Sequence, residues 1–119
     1  MGYRSNVALC LDKPALNVLA NKLDSDPVAK SAFQELTSCA DHFTDAVTSN
    51  EMWYWRDIKW YADYPEIAFV NQFLDELDYL EYYFIRIGDD VDDTEIRGHY
   101  WENPFDLYVS RAIEFSESL

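Results

Sequence analysis

Residues 79–98 read YLEYYFIRIGDDVDDTEIRG, and the fold turns on how this stretch is divided. Residues 79–88 are rich in Tyr, Phe and Ile, which suits a strand. Five of the eight residues from Asp89 to Ile96 are acidic. Asp favours turns because its carboxylate accepts hydrogen bonds from nearby backbone. Residues 95–101, EIRGHYW, then read as a returning strand. The stretch is therefore expected to be a β-hairpin with an acidic tip over residues 89–94.

Working outward, DYPE (63–66) precedes the hairpin and reads as a helix start. Asp63 is the expected cap, Pro65 lies in the first turn, and Glu66 favours the positive end of the helix dipole. Ile67, Val70, Leu74 and Leu77 recur at helical spacing, with Phe69 and Phe73 beside them, and the helix should end near Asp78. Before it, EMWYWRDIKWY (51–61) reads as a strand with aromatics on both faces. Met52, Tyr54, Ile58 and Trp60 are expected on one face, and Trp53, Trp55 and Tyr61 on the other. A shorter strand is expected around Phe43–Val47.

The start of the chain completes the pattern. YRSNVALCL (3–11) is apolar on both faces, as in a central strand. Asp12 is a helix cap with Pro14 in the first turn, and Leu16, Leu19, Ala20 and Leu23 follow at helical spacing. Asp26 and Pro27 start a second helical piece with Val28, Ala32, Phe33 and Leu36 on its apolar stripe. At the other end, Asn103 and Pro104 start a last helix whose buried face is Phe105, Tyr108, Val109, Ala112 and Ile113.

The expected order is β-α(α)-β-β-α-β with an added C-terminal β-strand and helix. The first six elements match the ferredoxin-like, split βαβ pattern of an α+β protein. Right-handed crossovers would place the helices on one sheet face, leaving the terminal helix to cover the other face or an edge. The 119 residues suit one domain spanning 1–119, and hydrophobic residues at 49% support a real core.

The net charge of −14 is unevenly placed. Residues 1–60 hold eight acids against six bases; residues 61–119 hold fifteen acids against three bases, Arg86, Arg97 and Arg111. Such a balance disfavours direct binding to nucleic acid or anionic lipid, which needs cations to displace counterions. It suits a basic partner. Cys10 and Cys39 match no zinc spacing. No signal-peptide core, myristoylation pattern or 18-residue apolar run is present, so a cytoplasmic protein is expected.

The acidic tip invites two chemistries, calcium binding and phosphoryl transfer, and the aromatic strands invite a third. An EF-hand loop starting at Asp90 places Glu95 where the turn requires Gly, and Trp101 where a bidentate Glu is required. Asp90-Val91-Asp92-Asp93-Thr94 resembles the DxDxT motif of haloacid-dehalogenase-type phosphotransferases. That resemblance implies a nucleophilic Asp90, an acid–base Asp92 and a magnesium ion. It covers about ten residues, and none of the 25 residues after Thr94 is the lysine that such an enzyme uses on phosphate. An RNA-stacking sheet would use Tyr54, Trp60, Tyr82 and Phe84, but no basic stripe accompanies them. His42 and His99 have no partner in a recognisable motif. No catalytic residue, metal ligand or cofactor is assigned.

What remains is a carboxylate surface. Acids two apart on a strand are spaced by roughly 6.6–6.8 Å, and duplex DNA carries a phosphate per roughly 3.4 Å on each strand. Asp75, Glu76, Asp78, Glu81, Asp89, Asp90, Asp92, Asp93 and Glu95 are the expected partner-binding set. The acids at the end of the second long helix also oppose its dipole, as residues kept for function do.

MGYRSNVAL, WRDIKWYADYPEI and YYFIRIGDD resemble stretches of small proteins encoded by bacteriophages and prophages. That resemblance implies a stoichiometric, anti-CRISPR-like inhibitor of host defence. The expectation is a non-enzymatic acidic module, a DNA mimic on a basic protein or nucleic-acid-handling complex of the host. Two alternatives accompany it. One is a metal-dependent hydrolase or phosphotransferase using Asp89–Asp93. The other is a structural module that forms a homodimer through its strand edges.

Overall fold

The computed structural model describes residues 2–45, 51–90 and 92–98. The chain is an α+β protein: β1 (Ser5–Leu11), α1 (Lys13–Ser25), α2 (Pro27–Ser38), β2 (His42–Asp45), β3 (Glu51–Ile58), α3 (Pro65–Glu76), β4 (Tyr82–Gly88) and β5 (Thr94–Gly98). The strands form one sheet in the order β2-β3-β1-β4-β5, every neighbouring pair antiparallel. Among the described residues β5 makes the sheet five-stranded, one strand more than a simple ferredoxin-like sheet has.

Alternation along β1 divides the core. Val7, Leu9 and Leu11 face α1, α2 and α3, packing with Ala15, Leu19, Phe33, Leu36, Ile67, Val70, Phe73 and Leu74. Trp53, Trp55, Tyr82 and Phe84 join them from the neighbouring strands. Cys10 and Met52 lie on the opposite face with Tyr54 and Tyr83. Burial pushes the Cys10 thiol up to about 12, with the Asp12 carboxylate adding to it.

The first two helix starts follow the expected capping chemistry. Asp12 Oδ1 accepts from the Ala15 N–H at 2.9 Å, and Asp26 Oδ1 accepts from the Ala29 N–H at 3.1 Å. Two stripe residues differ. Val28 is 78% exposed and Ala20 is exposed, while Ala15 is fully buried. At the third helix Asp63 is not the cap. Pro65 opens the helix, so Tyr64 occupies the cap position and makes no side-chain cap bond.

The expected 51–61 strand stops at Ile58. Ser5 pairs with Ile58 while Val7 pairs with Trp55, so β3 carries one more residue than β1 across that interval. Asp57 sits there with a φ of 56°. A bulge of this kind resets which face later residues meet. Ile58 and Trp60 therefore pack on the helix-side core with Trp55, not beside Met52 and Tyr54 as expected. Trp55 also donates its indole N–H to the Leu36 carbonyl at 2.8 Å, satisfying an acceptor at the end of α2.

Residues 79–81 belong to a turn and not to the strand. Asp78 Oδ1 accepts from the Leu80 N–H, and its carbonyl accepts from the Glu81 N–H, both at 2.9 Å. Tyr79 and Leu80 are exposed as a result. Residues 46–47 of the expected second strand, residues 99–101 of the returning strand and the helix expected from Asn103 lie outside the described residues.

Candidate functional site

Residues 89–93 connect β4 to β5, and their backbone closes the turn upon itself. The Gly88 N–H donates to the Asp93 carbonyl at 2.8 Å, the Asp93 N–H to the Asp90 carbonyl at 3.0 Å, and the Thr94 N–H to the Asp92 carbonyl at 3.1 Å. A Cβ at Gly88 would overlap the Asp93 carboxylate and the Tyr3 hydroxyl, so a larger residue there would displace both side chains.

Arg86 organises the acids beneath the turn. Its Nη2 lies 2.7 Å from Asp93 Oδ1 and its Nη1 3.1 Å from Asp93 Oδ2. Its Nε donates to Glu95 Oε1 at 3.0 Å, and Nη1 also reaches Ser5 Oγ at 3.1 Å. The hydrogen bonds it donates to Asp93 raise the guanidinium's proton affinity above its ordinary value. Partial burial opposes them, and Glu95 adds to them. The Tyr3 hydroxyl donates to Asp93 Oδ2 at 2.6 Å and accepts from the Asp90 N–H at 3.0 Å. Asp89 Oδ2 accepts from the Arg4 N–H at 3.1 Å. The turn thus holds the beginning of β1 as well as its own hairpin.

The nine acids of the expected partner-binding set do not form one surface. Ser5 pairs with both Ile58 and Gly88, which places the acidic turn at the sheet end where β1 begins. Leu11 pairs with Tyr82, so Glu81 and the end of α3 belong to the other end. Seven residues of β4 separate the two ends, roughly 20 Å at the usual strand rise. Several of these charges also have internal partners. Asp75 pairs with Arg97, Glu76 with Lys22 at 2.8 Å, and Asp93 and Glu95 with Arg86. Asp75 and Glu76 at the end of α3 are therefore offset by cations, which weakens the dipole argument for a role in binding, while Asp78 accepts from the Leu80 N–H. Asp89, Asp90 and Asp92 remain exposed at the tip.

At the opposite end Glu81 and Asp12 form a second acidic contact, where the Asp12 N–H donates to the Glu81 carbonyl at 3.0 Å. Burial raises both carboxyl pKa values. The Ala15 N–H partly counters this at Asp12, and the Asp12 and Asp78 charges add to it at Glu81.

The residues considered as a base-stacking platform are divided. Tyr82 and Phe84 are buried among the helices and Trp60 packs on Trp55 and Phe84, whereas Tyr54 lies on the other face. His42 is exposed on β2, and His99 lies outside the described residues. Among the described residues no three His, Cys, Asp or Glu side chains come together to hold a metal ion. No described helix is long and apolar enough to cross a membrane.

Two clefts flank the strand ends. One, of about 500 Å³, is lined by Arg4, Leu36, Cys39, Trp55, Arg56 and Asp57 among others. The other, of about 510 Å³, lies over the acid clamp and includes Trp60, Tyr61, Asn71, Arg86, Asp93 and Glu95. Sequence reading missed this second group. The Arg86–Glu95 pair was open to discovery, because the hairpin register sets those two residues opposite each other. Tyr3, 90 residues from Asp93, carried no such signal. No family model, curated protein or solved structure matches the chain.

Proposed function

We propose that this chain is a non-enzymatic, acidic protein-binding module that occupies a basic, nucleic-acid-binding groove on another protein. The resemblance to bacteriophage-encoded proteins supports reading it as an inhibitor of a host defence complex. The observation that carries the proposal is the tip: Asp89, Asp90 and Asp92 stand exposed on a turn held from beneath by Arg86, in a chain of net charge −14. A turn whose backbone is fixed in this way lowers the ordering cost of presenting its charges at binding. We assign the scaffold to the ferredoxin-like class. Support comes from the placement of β1 between β3 and β4 and from the shared helix face, with β5 as an addition to that arrangement.

The test reverses charge at Asp90 and Asp92 and leaves Asp93, which the clamp uses. Wild-type protein immobilised at low salt should retain a basic nucleic-acid-binding protein from bacterial lysate. Duplex DNA or added salt should displace it, and D90K/D92K should fail to retain it. Equal retention by both proteins at every salt concentration, with no competition by DNA, overturns the proposal.

A further inference from the structure

The cleft over the acid clamp combines three features that suit one kind of ligand. Its charges do not cancel: Arg86 supplies one cation, and Asp93 and Glu95 supply two carboxylates. Most of the Arg86 donors are already engaged, Nε with Glu95, Nη1 with Ser5 and Asp93, and Nη2 with Asp93. An incoming anion would meet the carboxylates, whereas a cation meets a net negative wall. Glu95 binds Arg86 through Oε1, and its side chain remains 41% exposed. A carboxylate has acceptor sites on both oxygens, so Glu95 can serve a second donor.

The aromatic wall is the second feature. Trp60 is held by Trp55 at a centroid distance of 5.3 Å and by Phe84 at 5.9 Å, and Tyr61 leans on Tyr64 at 5.2 Å. Rings fixed in this way lose little freedom when a flat cation stacks on them, and Trp and Tyr faces attract cations. Size is the third: a concave space of about 510 Å³ falls in the range of sites that enclose small groups. A guanidinium is planar, weakly hydrated and forked, and so uses a ring face and a carboxylate together better than a compact ammonium does.

We propose that this cleft takes one arginine side chain of the basic partner, stacked on Trp60 and Tyr61 and hydrogen-bonded to Glu95. The inference rests on the reading of the chain as a binder of basic proteins, and it supplies the anchor that the exposed tip lacks.

A short peptide with one central arginine, acetylated and amidated at its ends, tests this against the same peptide carrying citrulline. Citrulline keeps the shape and loses the charge. The readout is the Trp60 indole N–H resonance, assigned with Trp60→Phe. The arginine peptide should shift it saturably, and citrulline should not. Glu95→Gln should weaken the shift about three- to tenfold, and so should Tyr61→Leu, which leaves the Arg86 clamp intact. Equal shifts from both peptides, or no shift of Trp60 by the arginine peptide, overturn the cleft assignment. The two readings fail separately. Retention that depends on Asp90 and Asp92 while Trp60 stays unmoved leaves the acidic tip standing without the cleft. A Trp60 shift with retention unaffected by D90K/D92K and by DNA supports the cleft and removes the tip.

Discussion

Arg86 and Asp93 form a two-pronged ion pair at the root of the β4–β5 turn, with Nη2–Oδ1 at 2.7 Å and Nη1–Oδ2 at 3.1 Å. The Arg86 side chain is 17% exposed, so the pair is screened far less than a surface bridge. Arg86→Met removes the cation and leaves Asp93 and Glu95 facing each other. Because water still reaches both acids, the expected loss is about 1–3 kcal/mol, below the cost for a fully buried pair. Arg86→Lys should recover only part of it, since an ammonium cannot match two carboxylate oxygens at once. Urea unfolding at neutral pH measures both, and a loss below about 0.5 kcal/mol for Arg86→Met would mean the clamp is not structural.

Tyr3 extends the same network to the start of the chain through Asp93 Oδ2 and the Asp90 N–H. Tyr3→Phe keeps the ring and removes the hydroxyl. Amide hydrogen exchange should then accelerate at Asp90, and at Arg4 as the adjoining Asp89 contact loosens, with little change in the centre of β1. Unchanged exchange at both amides would show that the turn is held by Arg86 alone.

These contacts mark the boundary of what the chain reveals by local pattern. Asp12 with Pro14, and Asp26 with Pro27, are short-range devices, and both caps form. At Asp63 the same logic fails by one residue, because Pro65 takes the first helical position and Tyr64 has no acceptor to offer there. The period-2 alternation of 51–61 also breaks without warning. Asp57 adopts a positive φ, which Asp tolerates better than most residues, and Ile58 and Trp60 turn to the helix-side core. The nine acids look like one set because they are close in sequence. The strand between them sends the two groups to opposite ends, and the cations that neutralise Asp75 and Glu76 come from β5 and α1. Charge counting along a chain does not register partners brought from elsewhere in the fold.

Trp55 ties the sheet to α2 through its indole N–H and the Leu36 carbonyl, and it is 1% exposed. Trp55→Phe would remove the shortest hydrogen bond to that carbonyl, leaving it the Cys39 N–H at 3.3 Å and the Cys39 thiol at 3.1 Å, and would open a void where the second ring was. The two effects together should cost about 2–4 kcal/mol. Equilibrium unfolding with an unchanged m-value would locate the loss in the folded state. A cost under about 1 kcal/mol would indicate that α2 closes on a smaller residue without strain.

The thiols should separate cleanly. Cys39 is exposed, while Cys10 is fully buried with its thiol pushed up to about 12 by burial and by the Asp12 carboxylate. A thiol-reactive disulfide reagent at neutral pH should titrate one group promptly and the second only on unfolding. Prompt reaction of both would show that the sheet face around Cys10 opens in the native state.

Acid response provides the last test, at Glu81. Its folded-state pKa lies above the ordinary carboxylate value, through burial first and then the Asp12 and Asp78 charges. The folded protein therefore binds a proton at Glu81 more readily than the unfolded chain does. That contribution is fully present below the unfolded pKa, near 4.5, and is lost as pH rises through the higher folded value. Glu81→Gln removes the charge that is disfavoured at neutral pH. It should raise the urea midpoint modestly at pH 7, because the site is partly solvated, and the advantage should shrink to nothing as the pH falls below the ordinary carboxylate range. Asp12→Ala would not give the same result, since the Asp12 side chain accepts the Ala15 N–H and caps α1. A neutral-pH midpoint lowered by Glu81→Gln would mean that the Glu81 carboxylate is stabilised in the fold, contrary to its surroundings of Asp12 and Asp78.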